Sequence, residues 1–413
     1  MAVAVATVGW FYHHAAYSLA LGSQADVARY WVMCQYVTAG ENPYPITRRI
    51  LLEEVGPADK LKARMVLIPQ PKSPETLALV IESLGPPEAT YAPSSLGMLT
   101  VLLGWLPTEK AAVLWWIALE AAAHVAFAWL LSGWLAAPCR LSRATNAAAI
   151  AALMLAFSPF AASVRSAQFS VVGALCILVA TRPKTPSWLA GLALAIGLTK
   201  PTTAIPFVLW ELARGRWRSV AVAAAIHLVL MALVCLLIKA DPVAVHRDWM
   251  AITPYFMAGM YSVQEAVEIL HLHGTPQATA LQVGVLFGIV VVCVVGRRTG
   301  WAAGCAFLCA ANLVWVYHRS YDFVTLLLPL LLLLGWRDAR PEGEPSPAAA
   351  WWSILIGAGC FAFISAGALQ AVISSDDGWD RVIRWGCRFA LVYILAVTAF
   401  WTCAGGVRVR LRR

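Results

Sequence analysis

Charge is what this chain has least of. Only 13% of its 413 residues are Asp, Glu, Lys or Arg, against roughly 25% in an ordinary soluble domain. Hydrophobic residues make up 60% and the mean hydropathy is +0.70, so a free-standing soluble enzyme or binding domain is excluded. No P-loop and no Gly-x-Gly-x-x-Gly precedes a predicted helix, and no sizeable cytoplasmic segment is left over to bind a nucleotide sugar. The ten Cys are scattered without a C-x-x-C pair; Cys305 and Cys309, four apart, read as small residues packing on one helix face. There is no internal repeat and no long low-complexity tract. Residues 1–22 lack a basic leader and any clear A-x-A cleavage site, so they read as a first span rather than a signal peptide.

What is present is a ladder of apolar runs, and the expectation is an all-α, polytopic membrane protein. Candidate spans cover 1–22, 110–135, 145–160, 168–181, 187–200, 202–213, 218–238, 279–296, 301–317, 322–336, 350–372 and 383–404, about twelve in all. The breaks fall at Pro159, Pro183 with Pro186, Pro201, Gly215, Pro242, Gly300 and the linker 337–349, where proline or charge cannot continue a buried helix. Several runs are shorter than the roughly 20 residues a lone span needs, which is tolerable only where helices meet inside protein.

Basic residues resist translocation, so their distribution orients the ladder. "CRLSR" (139–143), "TRPK" (181–184), "RGRWR" (214–218), "GRR" (296–298), "WRDAR" (336–340) and the tail "RVRLRR" fall on alternate turns. Placing them in the cytoplasm puts on the outer side a long first loop, 23–109, together with 163–168, Lys200, a second large loop at 239–278, 317–322 and 374–380. Parity then requires the apolar stretch 94–107 to be re-entrant or interfacial. The net charge of +9 is accounted for by these loops facing anionic lipid, with no nucleic-acid partner needed. The expected location is the plasma (inner) membrane.

The first outer loop opens "SQADVARYWVMCQYVTAGENPYP". Asp26 there would lie at the membrane surface beside Arg29 and Tyr30. A carboxylate so placed could act as a base toward a lipid headgroup, or it could simply cap the helix that follows. Tyr44 and Tyr91 could be interfacial aromatics, Lys200 could snorkel, and Asp322 could pair with Arg319 or cap the span at 322–336. "HLH" at 271–273, near Glu265 and Glu268, is a poor metal site unless extended. No second acid accompanies Asp26 in its motif, so the favoured chemistry uses no metal and no cofactor.

The motif Asp26, Tyr30, Gly40, Asn42, Pro43, Tyr44 resembles the first outer loop of glycosyltransferase family 87 (the DUF2029 group), multi-pass GT-C enzymes that take sugars from polyprenyl phosphates. Tyr91-Ala92-Pro93 is similar to a later Y-x-P of that family. "AQFSVVGALCILVA" resembles its G-Q-x-N helix start, with Gln168 kept but Ala167 in place of Gly and Ser170 in place of Asn. "GLTKPTTAIPFVLWELARGRWR" resembles its Lys-Pro helix pair. The resemblance covers roughly 20–220 and 312–334.

That resemblance implies a GT-C fold and a transferase. Asp26 would be the general base, with Lys200, His318, Arg319 and Arg165 near the donor phosphate. Arg29, Tyr30, Asn42, Tyr44, Tyr91, Gln168 and Asp322 would line the substrate pocket. It implies a polyprenyl-phosphate-linked sugar donor, a mannose-like hexose by family habit, and an envelope glycolipid or glycan acceptor. A transporter or flippase of a lipid-linked sugar is the rival, but it should carry paired charges in mid-span. Here Glu120 and His227 are the clearest such charges.

Overall fold

The computed structural model describes residues 9–10, 12–14, 16, 26–54, 91–137, 141–252, 267, 275–315, 320–338, 347–370 and 378–411. Among them the chain is helical almost throughout. The elements are α1 (Asp26–Thr38), α2 (Pro43–Glu54), α3 (Pro93–Leu103), α4 (Glu109–Trp134), β1 (Leu135–Ala136), α5 (Arg143–Ala156), α6 (Ser158–Ser166), α7 (Ser170–Thr181), α8 (Ser187–Gly197), α9 (Pro201–Ala213), α10 (Trp217–Leu237), α11 (Pro242–Ile252), α12 (Pro276–Val295), α13 (Trp301–Trp315), a 3-10 segment (Ser320–Leu326), α14 (Leu327–Leu333), β2 (Arg337–Asp338), α15 (Pro347–Gln370) and α16 (Gly378–Leu411).

Proline opens α2, α3, α9, α11, α12 and α15, where its missing N–H costs nothing and its fixed φ suits the first turn. Thr108, Ser142 and Thr275 cap their helices by accepting from the N–H groups of Ala111, Thr145 and Ala278 at 3.2, 3.2 and 3.3 Å. Among the described residues four helices are long and apolar enough to cross a membrane: Glu109–Trp134, Trp217–Leu237, Pro276–Val295 and Trp385–Ala404. Counted as one broken span, α5 and α6, bent by 70° at Phe157, make a fifth. The expected run 145–160 therefore breaks two residues before Pro159, which instead falls in the first turn of α6. Other apolar runs fold as helices of 10–17 residues, short of a lone span. They are housed by their neighbours: nine of the twelve residues of α7 are buried, and backbone held inside protein need not cross lipid unaided.

The basic loops meet. Leu135 pairs with Asp338 and Ala136 with Arg337 in a two-residue antiparallel bridge. Trp336 Nε1 donates to Asn146 Oδ1 at 2.8 Å, and Asn146 Nδ2 donates to the Leu135 carbonyl at 2.9 Å. Arg216 donates to the carbonyls of Ala180, Arg182 and Thr185 at 3.1–3.2 Å and forms an ion pair with Glu211 at 3.0 Å. The guanidinium of Arg182 lies 4.7 Å from the Trp301 ring centroid, close enough for a cation–π contact. Stretches predicted to share one side thus form a single assembly.

From this basic end α7, α9 and α13 run to the other. At that far end Trp315 Nε1 donates to the Thr202 carbonyl at 3.2 Å, and Asn312 Nδ2 to the Thr203 carbonyl at 3.3 Å. Twelve to fifteen helical residues separate the two ends by about 18–22 Å. Helix α3, about 16 Å long, cannot cross alone. It packs against α10 where a Cβ on Gly97 would come within 2.7 Å of the Leu230 carbonyl.

Candidate active site

The sequence motif from Asp26 to Tyr44 has a structural reason at every position. Gly40 ends α1 with φ +85°, a left-handed conformation that glycine alone adopts freely. The Glu41 N–H reaches back to the Tyr36 carbonyl at 2.9 Å and the Gly40 N–H to Val37 at 3.0 Å, a Schellman closure of the helix. Asn42 Oδ1 then accepts from the Tyr44 N–H at 3.2 Å, and Pro43 starts α2. The other face of the Asn42 amide donates to Asp248 Oδ2 on α11 at 3.3 Å.

Tyr44 is fully buried and donates its hydroxyl to the Tyr91 carbonyl at 2.8 Å. Burial holds its phenol well above the ordinary value, which keeps it a donor. Burial likewise pushes the Cys34 thiol of α1 up to about 12, so that thiol is no nucleophile. Tyr91 in turn donates to the Tyr30 hydroxyl at 3.1 Å, and Tyr30 to Gln168 Oε1 at 3.1 Å. Tyr44 and Tyr91 are therefore more than interfacial aromatics: one bonds the other's carbonyl, and the Tyr91 ring packs edge to face on Tyr30 at 5.0 Å. Asp26 lies in the first turn of α1, one turn before Tyr30, half-buried beside the half-buried Arg29. An acid in that turn faces the positive end of the helix.

Gln168 is held by an unusual turn. Ala167 has φ +49° and ψ +53° at the end of α6, with the Gln168 N–H on the Ser163 carbonyl at 3.0 Å and the Ala167 N–H on Val164 at 3.1 Å. It is the same closure as at Gly40, made here with a Cβ in place. The turn directs the chain into α7, whose first residue, Ser170, donates to Asp322 Oδ1 at 2.7 Å. Lys200 Nζ meets that same oxygen at 2.5 Å. Lys200 precedes Pro201 at the start of α9, and Asp322 lies in the first turn of the 3-10 segment. Phe169, Ser170, Gly173, Ala174, Lys200 and Thr203 line a small recess around this pair.

For Asp322 the sequence offered Arg319 as a partner or a capping role; the residue is buried and bonded to Lys200 and Ser170, and Arg319 lies outside the described residues. Lys200 does not reach out to headgroups, and its charge is balanced inside the protein. Arg165 sits near the end of α6 and donates from Nε to His14 Nδ1 at 2.8 Å. His318, Arg319 and the 271–273 His pair lie outside the described residues. So the structure gathers Asn42, Tyr44, Tyr91, Tyr30 and Gln168 into one hydrogen-bonded chain that begins a turn from Asp26, and the 168–170 turn joins it to the Ser170, Asp322 and Lys200 group. Among the described residues no group of three His, Cys, Asp or Glu side chains could hold a metal ion.

The profile of glycosyltransferase family 87 matches residues 89–334, more than half of the chain. The chain belongs to glycosyltransferase family 87. It is thus a glycosyltransferase carried on membrane helices, with a donor and an acceptor to bring together. No curated protein and no solved structure matches it. The matched stretch of this family 87 chain contains Tyr91, Arg165, Gln168, Ser170, Lys200, His318, Arg319 and Asp322. Asp26, Arg29, Tyr30, Asn42 and Tyr44 precede it; Tyr30 and Tyr44 are tied to it through Gln168 and Tyr91, and Asn42 through Asp248.

Two participants were not singled out from sequence. Asp248 carried no signal beyond a charge in an aromatic stretch, "HRDWM". Ser170 was visible only as a departure from the family's Asn; its hydroxyl still supplies a donor, to Asp322.

Proposed function

We propose that this family 87 protein transfers a hexose, mannose-like as first choice, from a polyprenyl-phosphate donor to an envelope glycolipid or glycan on the outer face of the plasma membrane. One observation carries the reading. Four of the six segments that sequence placed on the outer side contribute Tyr30 and Tyr91, Gln168, Lys200 and Asp322 to one polar region joined by the 168–170 turn, while the basic loops share another. Positive-inside bias makes the basic assembly cytoplasmic. A donor headgroup would then arrive at the level of Asp26, with its lipid tail in the bilayer.

In this reading the acceptor hydroxyl loses its proton to the Asp26 carboxylate as its oxygen bonds to the anomeric carbon from the face opposite the phosphate. The bond from that carbon to the phosphate oxygen breaks, its electron pair leaves on polyprenyl phosphate, and the configuration inverts. Charge growing on the phosphate needs donors or cations. Lys200 serves less directly here, since Asp322 neutralises it; Arg165, His318 and Arg319 remain the candidates. His318 and Arg319 immediately precede the 3-10 segment that carries Asp322.

The test is incubation of the purified protein in lipid with a panel of polyprenyl-phosphate sugars and candidate acceptors. Transfer with inversion is expected, with Asp26→Asn reducing turnover by about 10²–10⁴ in a protein that still inserts. Turnover retained in Asp26→Asn would remove that residue as the base. Failure of every lipid-linked donor would remove the donor class.

A further inference from the structure

Glu120 has no part in the arrangement described so far. It lies on α4 one helical turn beyond Trp116 and one before His124, so the three side chains share a face, and all three are buried. The upper end of that face touches the turn before α7: Trp116 Nε1 donates to the Gln168 carbonyl at 3.3 Å. One turn deeper, Glu120 Oε1 accepts from Ser163 Oγ at 2.9 Å. Ser163 is the residue whose carbonyl receives the Gln168 N–H, and its hydroxyl lies 3.5 Å from the Gln168 carbonyl. Glu120 therefore grips the residue that closes the left-handed turn at Ala167.

Its second oxygen, Oε2, has no hydrogen-bond partner among the described residues, and the residue is 1% exposed. A buried carboxyl with one oxygen unsatisfied lowers stability, and an apolar side chain of similar size would pack there at less cost. Stability of the bundle thus gives no reason for an acid at this position. The turn supplies one. Alanine disfavours φ near +49°, and the side-chain contact from Glu120 to Ser163 helps hold the closure in place. That closure presents Gln168 to Tyr30 and, two residues on, Ser170 to Asp322.

We propose that Glu120 is a positioning residue of the active site, acting through Ser163 to keep the Ala167–Gln168 turn left-handed. Its effect on turnover rests on the transferase reading above; its effect on the turn does not.

The experiment compares full-length Glu120→Gln, Glu120→Leu and Glu120→Leu/Ala167→Gly with the parent protein in lipid nanodiscs, by thermal unfolding, amide hydrogen exchange over residues 163–172 and transfer kinetics. Glu120→Leu is expected to melt at the same temperature or higher, to exchange faster over 163–172, and to lose about tenfold to a hundredfold in kcat with donor KM unchanged. Glu120→Gln, whose amide oxygen still accepts from Ser163, should stay near the parent in all three. Adding Ala167→Gly should restore slow exchange and most of kcat, because glycine takes the left-handed conformation unsupported. A Glu120→Leu protein that melts lower in step with its loss of turnover would make the residue merely structural and overturn the proposal. Unchanged exchange over 163–172, damage by Glu120→Gln equal to that by Leu, or no rescue by glycine would each overturn it too. Exchange needs no substrate, so a parent protein inactive with every donor would sink the transferase reading while the exchange rates still decided whether Glu120 holds the turn.

Discussion

Lys200 and Asp322, 122 positions apart, form an ion pair in which the amine side chain is 13% exposed and the acid 1%. The pair ties the start of α9 to the 3-10 segment, and Ser170 adds the start of α7. Three helix beginnings are joined on one carboxylate oxygen.

Removing either partner breaks a buried, hydrogen-bonded ion pair. Lys200→Ala and Asp322→Ala are each expected to destabilise the protein by about 3–5 kcal/mol. Lys200→Met/Asp322→Leu should cost less than either alone, since no charge is then buried. Thermal or denaturant unfolding in detergent measures this, and a double variant as unstable as the two losses added would show the residues to be uncoupled.

At the Ala167 turn the backbone carries the cost of a Cβ in the left-handed region. Ala167→Gly should stabilise the protein by about 1 kcal/mol, and Ala167→Val should destabilise it. A melting temperature that falls on glycine substitution would contradict the strain argument.

The Tyr30 hydroxyl both accepts from Tyr91 and donates to Gln168. Tyr30→Phe strips the buried Gln168 oxygen of that donor and should cost about 1–3 kcal/mol, whereas Tyr91→Phe removes one donor and should cost about 1. Equal losses in unfolding experiments would argue against a relay that runs from Tyr91 through Tyr30 to Gln168.

Asn42, just before α2, donates to Asp248 of α11. Asn42→Leu should leave global stability within about 1.5 kcal/mol but speed amide exchange across Pro242–Ile252. No change there would mean that α11 is held by its apolar contacts alone.

Orientation is open to labelling. Arg48 on α2 and Lys184 between α7 and α8 are both exposed, and they belong to the site end and the basic end. An impermeant thiol reagent added outside intact cells should modify Arg48→Cys and spare Lys184→Cys. The reverse pattern would invert the topology and move the proposed chemistry to the cytoplasm.

Much of this was legible in the sequence because each signal was local. Gly40, Asn42 and Pro43 encode a turn whose chemistry is complete within a few residues, and the alternation of basic loops already sorted the chain into two sides. The short runs at 168–181 and 187–200 foretold helices packed inside protein, though not how many elements would cross. Pairing was another matter. From sequence Asp322 had a nearer cation, Arg319, three residues away, and nothing in the spacing pointed to Lys200. Ala167 and Ser170 read as defects in a motif; only the backbone angle of one and the hydrogen bond of the other showed what each position does.

The amino-acid sequence alone determined the solvent this protein lives in, the helical character of its chain and the separation of its basic loops from its polar motifs. Those follow from hydropathy, proline placement and the positions of Lys and Arg, all of which act over short stretches. Tertiary structure alone decided which distant groups touch: Lys200 with Asp322, Asn42 with Asp248, Glu120 with Ser163. Such partnerships depend on how short helices stack in three dimensions, and a buried charge or amide bonds whichever complementary group that stacking brings within about 3 Å.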